Sequence, residues 1–253
     1  MAKEVIMSIR VGIAGWSAFS AMAKVLQLPV TGTQLERYAA YFSTVEINSS
    51  FYRPHRRTTY MRWAASVPPA FRFSVKLPRT MTHERRLVDC QALIDRFAEE
   101  TDGLGEKRGP VLVQFPPSLA YPGDLAVRFF HDLRARLAGA IVVEPRHESW
   151  FRPAIDHMLT ELQISRVAAD PARPAPAAQP GGWSGLAYFR LHGTPDIYKS
   201  RYTHEAIEAH AKVVAALATR GTEVWTIYDN TTYGAAVQNG FELMEACAGI
   251  IGQ

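Results

Sequence analysis

The sequence predicts an α/β protein of the TIM-type (β/α)8 barrel class. Three observations carry that expectation. Candidate strands alternate with helical patterns, as a parallel sheet with helical crossovers requires. Polar side chains recur on these strands at two-residue spacing, which places them on one face, and they reach the strands' C-terminal ends, where such barrels hold their active sites. The length of 253 residues suits one barrel of the ordinary size of about 250 residues, so residues 1–253 are read as a single domain.

The first candidate strand, Arg10–Ala14, runs into a long stretch, Gly15–Gly32, with no helix signal beyond a turn at Ala21–Leu26. That stretch is expected to fold over the barrel mouth as a lid. Thr33–Phe42 (TQLERYAAYF) spaces its apolar residues at i, i+3, i+4 and reads as a helix. In the next strand, Thr44–Asn48, Glu46 and Asn48 oppose Val45 and Ile47. The tract Arg53–Arg62 (RPHRRTTYMR) mixes bases with aromatics; a solvated basic helix face is favoured over a nucleic-acid surface. Phe71–Lys76 sets Ser74 and Lys76 on one face. Helix Leu87–Glu100, strand Val111–Phe115 and helix Asp124–Leu137 follow, then strand Ile141–Glu144, after which Glu144 and Arg146 flank Pro145. Ser165–Ala169 is the sixth strand. The segment after it, Pro171–Gly182 (PARPAPAAQPGG), cannot sustain a helix, because proline removes a donor and clashes with the preceding turn. The crossover between strands six and seven is therefore expected to be an exposed loop without a full helix. Leu186–His192 alternates Tyr188, Arg190 and His192 with Phe189 and Leu191. Helix His204–Thr219, strand Glu223–Tyr228 and helix Ala235–Ala248 complete the chain, and Thr226, Tyr228 and Asn230 are read as the polar face of the last strand.

Composition excludes several classes. With 47% hydrophobic and 21% charged residues, the chain has a globular protein's profile. A formal net charge of +4 permits an anionic ligand without demanding nucleic acid. Cys90 and Cys247 form no CxxC pair and no signal peptide precedes them, which points to a reduced cytoplasmic compartment. No apolar run approaches the roughly 18 residues of a membrane helix, so a soluble protein with no membrane partner is expected.

The ordered segments GIAGW (Gly12–Trp16), STVEINSSFYRP (Ser43–Pro54), FSVKLPRTMTH (Phe73–His83), LVQFPPS (Leu112–Ser118), VEPRHESW (Val143–Trp150), FRLHG (Phe189–Gly193) and DNTTYGAAVQN (Asp229–Asn239) resemble the blocks of the YecE-like family, domain of unknown function 72. The resemblance covers essentially the whole chain. It implies a TIM-type barrel and no particular activity. Three departures stand out. Ile13 and Ala14 replace two hydroxyl residues of the usual Gly-Thr-Ser-Gly-Trp, which removes any ligand hydrogen bond made there. The aromatic, proline-containing segment that usually follows is not recognisable in Ser17–Pro29. Pro145 stands where an aromatic is common, and proline lacking a ladder donor belongs at a strand end.

Glu46 and Glu144 are the candidate acid–base pair, since burial at a barrel mouth can move a carboxyl toward the working pH. The alternative is that they form ion pairs with Lys76, Arg146 or Arg190. His192 is the third catalytic candidate, able to donate or accept a proton near neutral pH; His83 is as readily a capping residue. Substrate-binding candidates are Trp16, Asn48, Lys76, Gln114, Arg146, His147, Arg190 and Asn230. Converging cations need an anion, and Gly193 with Asn230–Gly234 adds backbone donors where barrels bind phosphate. A divalent metal held by Glu144, Asp170, His192 and Asp229 is left open, although no HxH or HExxH spacing supports it. No tightly held organic cofactor is expected. The leading reading is an enzyme using acid–base chemistry on a small anionic, phosphorylated or sugar-like substrate. A metal-dependent phosphoesterase or nucleic-acid-processing enzyme and a non-catalytic ligand-binding barrel are the alternatives; the oligomeric state has no signature.

Overall fold

A computed structural model of the chain describes residue 5, residues 8–28 and residues 31–252. Its strands are β1 (Ile9–Ile13), β2 (Thr44–Ile47), β3 (Arg72–Lys76), β4 (Arg108–Gln114), β5 (Ile141–Glu144), β6 (Ile164–Arg166), β7 (Ala168–Asp170), β8 (Gly181–Gly182), β9 (Leu186–Leu191) and β10 (Glu223–Tyr228). They form two hydrogen-bonded runs, β1-β10-β9-β7 and β2-β3-β4-β5-β6-β8. Every pair is parallel except β6 with β8. The two runs wrap into a nearly closed barrel, as the sequence predicts.

Closure happens at two seams. At one, β1 meets β2 through a single bridge between Ala14 and Glu46, and the Gly15 amide donates to the Glu46 carbonyl at 2.9 Å. The backbones approach closely here: a Cβ at Gly12 would lie 2.4 Å from the Thr44 carbonyl oxygen. Tyr38 stitches the same seam, its hydroxyl accepting from the Ile13 amide (3.0 Å) and donating to the Thr44 carbonyl (2.6 Å). At the other seam the sixth strand changes partner. The candidate Ser165–Ala169 is in fact two pieces, β6 on β5 and β7 on β9. Val167 lies between them and donates to the Val143 carbonyl.

Helices α1 (Ser17–Val25), α2 (Gln34–Ala39), α3 (Ser49–Tyr52), α4 (Arg57–Ala65), α5 (Gln91–Thr101), α6 (Asp124–Arg136), α7 (Pro153–Glu161), α8 (His204–Thr219) and α9 (Ala235–Ile251) accompany the strands. Helix α1 corrects the expected lid. Phe19 is fully buried edge-on to Tyr38 and Phe42, so the segment belongs to the core; Pro29 and Val30 lie outside the described residues. Helix α4 is the expected solvated basic face, with Tyr60 buried and Arg56, Arg57 and Arg62 exposed. Helix α7 is not announced by periodicity, because Ile155 and Leu159 are its only buried side chains; Pro153 opens it, with φ already set for a first turn.

The crossover between strands six and seven lacks a full helix, as expected, and holds only a short turn at Ala175–Ala178 and β8. It is not a free loop. β8 pairs with β6, Ala177 is buried, and Arg166 donates to the carbonyls of Pro176 and Gln179 while forking onto Asp156. Without a crossover helix the outer face of β7 and β9 is covered only in part, and a cavity of about 420 Å³ opens against α8 beside Phe189, Leu191 and His210. No helix among the described residues is long and apolar enough to cross a membrane. Cys90 and Cys247 are buried free thiols.

Candidate functional site

Inside the barrel the lower layer is apolar, with Leu112, Val142, Leu186, Trp225 and Ile227 buried together, and Tyr188 stacks on Trp225 at 6.0 Å. Above it lies a charged layer organised by Arg190, which is 1% exposed. Its Nε and Nη2 donate to the two oxygens of Glu46 (3.1 and 2.9 Å), Nη1 donates to Glu144 Oε2 (2.6 Å), and Nη2 also reaches Asp229 Oδ2 (3.1 Å). Burial opposes this charge, but the three carboxylates outweigh it and hold the guanidinium more firmly protonated than usual. The Tyr188 hydroxyl lies 2.8 Å from both Glu46 Oε2 and Ser74 Oγ. Glu46 is thus fully buried with both oxygens occupied. It cannot meet a substrate as the acid–base group expected from sequence; it neutralises Arg190. Four of the five N–H donors of Arg190 thus go to carboxylates, and its Nη1 also lies 3.5 Å from His192 Nε2, so the guanidinium faces protein groups on every side.

Glu144 is shared. Arg146 donates to its Oε1 through Nε (2.9 Å) and Nη2 (2.8 Å). Burial works against ionisation, but Arg190 and Arg146 overcome it and hold the carboxyl well below the usual carboxylate range. A group so firmly ionised is a poor general acid. His192 takes that part better. Its Nδ1 lies 3.0 Å from Asp229 Oδ2 and its Nε2 3.5 Å from Glu144 Oε1. Burial and Arg190 disfavour the imidazolium; hydrogen bonds to Asp229 and Glu144 reverse the balance, so its pKa is raised. Asp229, pushed up by burial and pulled down by Arg190 and His192, ends below its ordinary value.

Glu144, Arg146 and His192 line a cavity of about 310 Å³ at the strand C-termini, walled further by Arg173, Ile197 and Tyr198. Lys76 ends β3 and is 8% exposed, its Nζ 4.2 Å over the Phe51 ring. Burial and the charge of Arg190 lower its pKa to about 8. Neither the Lys76 amine nor the Gln114 amide, beside Glu144 in register, has a protein partner among the described residues. Asn48 Oδ1 is likewise buried without a partner.

Four other candidates are placed differently. Trp16 packs edge-on against Trp63 at 5.1 Å. His147 caps the turn Glu148–Trp150, its Nδ1 accepting from the Ser149 amide. His83 lies edge-on to Phe51. Asn230 is fully buried and gives its amide to the Ser200 carbonyl and Asn239 Oδ1; it fixes loops and does not face the cavity. The parity expected for the last strand is inverted: Trp225, Ile227 and Asp229 face inward, whereas Thr226 bonds His210 of α8. The set offered for a divalent metal is split accordingly. Asp170 is held by Thr194 and Tyr202 on the outer side, and among the described residues no three His, Cys, Asp or Glu side chains are arranged to hold a metal ion.

Sequence reasoning passed over Tyr198, edge-on to His192 at 5.8 Å, and Arg173, at the cavity's exposed rim. Both sit in irregular segments where no periodicity marks them. Asp229 entered as a metal ligand or as a counter-charge to the converging cations, not as the partner of His192, and Tyr188 only as one of an alternating set.

The family model described as protein of unknown function DUF72 matches residues 10–250. Among relatives, UPF0759 protein YecE of Escherichia coli strain K12 is 30% identical over 179 residues, 68% of this chain and 62% of that protein. The match thus spans less than two thirds of that relative's length. UPF0759 protein YunF of Bacillus subtilis strain 168 is 25% identical over an aligned length of 269, covering 94% of each chain. The crystal structure of a DUF72 family protein from Thermotoga maritima MSB8 superposes with a TM-score of 0.76 at 25% identity, over 94% of this chain and 98% of that one. A sugar phosphate isomerase/epimerase from Parabacteroides distasonis ATCC 8503 gives a TM-score of 0.51 at 13% identity, over 95% and 94%, a likeness of fold alone.

Proposed function

The chain belongs to the DUF72 family, and we propose that its barrel is an enzyme acting by acid–base chemistry on a small anionic substrate, phosphorylated or sugar-like. His192 is the proton-transferring group and Asp229 orients it. The observation that carries this reading is His192, paired with Asp229 behind it, in the wall of a cavity that Arg146 and Arg173 also line and whose carboxylate, Glu144, is already paired with Arg146 and Arg190. With Nδ1 turned to Asp229, the imidazolium keeps a proton on Nε2, which lies 3.5 Å from both Glu144 Oε1 and Arg190 Nη1, too far from the carboxylate to be held firmly. That proton is available to a ligand. Arg146, whose Nη1 has no carboxylate partner, and Arg173 supply donors for the anionic end, and a guanidinium suits a phosphate or carboxylate by its forked geometry. A cavity of about 310 Å³ lies at the lower end for small-molecule sites. No tightly held organic cofactor enters this reading. The metal-dependent alternative draws less support, because the Glu144 and Asp229 oxygens a metal would need are already turned to Arg146, Arg190 and His192.

Thermal unfolding with inorganic phosphate and a panel of sugar phosphates tests the binding half. A ligand bound only by the native state raises the melting temperature by mass action, whereas chloride at equal ionic strength should do less. Arg146→Gln should lose the phosphate-specific increment. His192→Gln should keep the increment and lose turnover of any compound the parent converts. An equal gain from phosphate in Arg146→Gln would point to exclusion of the ion from the surface and end the reading.

A further inference from the structure

We propose that Lys76 is a carbonyl-reactive amine, so that the anionic substrate is an aldehyde or ketone held during turnover as an imine on Nζ. The inference rests on the function proposed above and names its substrate class; Lys76 stands at the same barrel mouth, outside the lining of the cavity of about 310 Å³ but within electrostatic reach of Glu144, Asp229 and Arg190. The root of Lys76 is fixed: it is the last residue of β3, its side chain on the same inward face as Ser74, and its carbonyl accepts from Ser50 Oγ at 2.6 Å. Its amine is the anomaly. Glu46, Glu144 and Asp229 all bear on it electrostatically, yet their oxygens are turned to Arg190, Arg146 and His192. A buried lysine kept for structure takes an ion-pair partner; this one has none among the described residues, and it stands over the apolar face of Phe51.

Desolvation beside a second cation is how a lysine becomes a nucleophile. With its pKa lowered to about 8, roughly a quarter of the amine is neutral at pH 7.5, against about one part in a thousand for an ordinary lysine. The step balances without oxidant or reductant. The Nζ lone pair attacks the carbonyl carbon and the C–O π pair moves to oxygen. Proton transfer from nitrogen to oxygen leaves a neutral carbinolamine. The His192 imidazolium protonates the hydroxyl, which leaves as water as the nitrogen lone pair forms the protonated imine; the neutral imidazole then recovers a proton from solvent. Addition of water reverses the sequence and frees the product. Arg146 and Arg173 would meanwhile hold the anionic end.

Incubating the protein at pH 7.5 with glycolaldehyde phosphate and cyanoborohydride, followed by peptide mass mapping, tests this. The expected result is a secondary amine on Lys76 formed at least tenfold faster than on exposed lysines such as Lys24 and Lys212. Inorganic phosphate should slow it, and its rate should rise with pH to a midpoint near 8. Lys76→Arg, which keeps the charge but lacks the nucleophile, should abolish that adduct and retain the native melting transition. Labelling spread over exposed lysines with Lys76 unmodified overturns the inference. Thermal shift by the same compound without reductant separates the two readings: a shift without the Lys76 adduct removes the imine and leaves the acid–base enzyme standing, while neither shift nor adduct removes both.

Discussion

Replacing Lys76 with Met should make the protein more stable while disabling its site. The amine goes from a pKa of 10.5 in the unfolded chain to about 8 in the folded one. At 1.36 kcal/mol per pKa unit, keeping it protonated in the native state near neutral pH therefore costs about 3 kcal/mol. With Lys76 only 8% exposed, little of that is screened by solvent. Methionine has a similar length, carries no charge and can place its sulfur on the Phe51 ring. The sign follows from proton counting. Between pH 8 and pH 10.5 the unfolded chain binds more protons than the native one, so the parent gains stability as pH rises through this window. The advantage of Lys76→Met is full below pH 8 and gone by about pH 10.5. For a chain of this size about 3 kcal/mol corresponds to roughly 6–12 °C in Tm. Urea unfolding of both proteins at pH 6.5 and pH 10 measures it. A variant less stable than the parent at pH 6.5, or an advantage equal at both pH values, would refute the unpartnered amine on which the reasoning rests.

Three further outcomes are expected. Arg190→Met strands Glu46, Glu144 and Asp229 in the barrel and should lower stability by at least about 3–5 kcal/mol in a denaturant titration; a loss under 1 kcal/mol would mean the carboxylates find other partners. Gly12→Ala drives a Cβ to 2.4 Å from the Thr44 oxygen and should open the β1–β2 seam at a cost of about 1–3 kcal/mol, with amide exchange rising at Gly15 before the strand centres. Asp229→Asn removes the charge that helps keep His192 protonated, so the imidazole midpoint read by NMR should fall. Because the native pKa of His192 lies above its unfolded value, the stability it contributes is present below about pH 6.5 and is lost as pH rises through the raised value, a decline Asp229→Asn should flatten.

How much of this was legible in the residues depends on what alternation can say. Period-two spacing tells which face a side chain takes, and it brought Glu46, Lys76, Glu144, Arg190 and His192 to one mouth. It does not tell which oxygen meets which nitrogen, so Arg190 read as an anion receptor when three carboxylates already claim it, and Glu46 read as catalytic when it is a counter-charge. The last strand failed for another reason. Apolar-out and polar-in presumes a polar interior, but the lower barrel is apolar and takes Trp225 and Ile227 inward. Thr226 could face outward only because His210 waits there to bond it. The family blocks carried the fold over nearly the whole chain, and they could not carry Arg173 or Tyr198, which neither a period nor a block marks.

The Arg190 hub also bears on how the molecule assembles. Arg190 and Asp229 come from the β1-β10-β9-β7 run, Glu46 and Glu144 from the β2-to-β8 run. Without its complement, one half would leave Arg190 with Asp229 alone, and the other would bury Glu46 and Glu144 without the guanidinium they share. That cost disfavours either half closing on itself or pairing with its own copy. Only the union of unlike halves brings Arg190 together with all three of its carboxylates. The ion cluster then serves as a matching code between the two faces, and the barrel mouth comes into being in the same event that closes the wall.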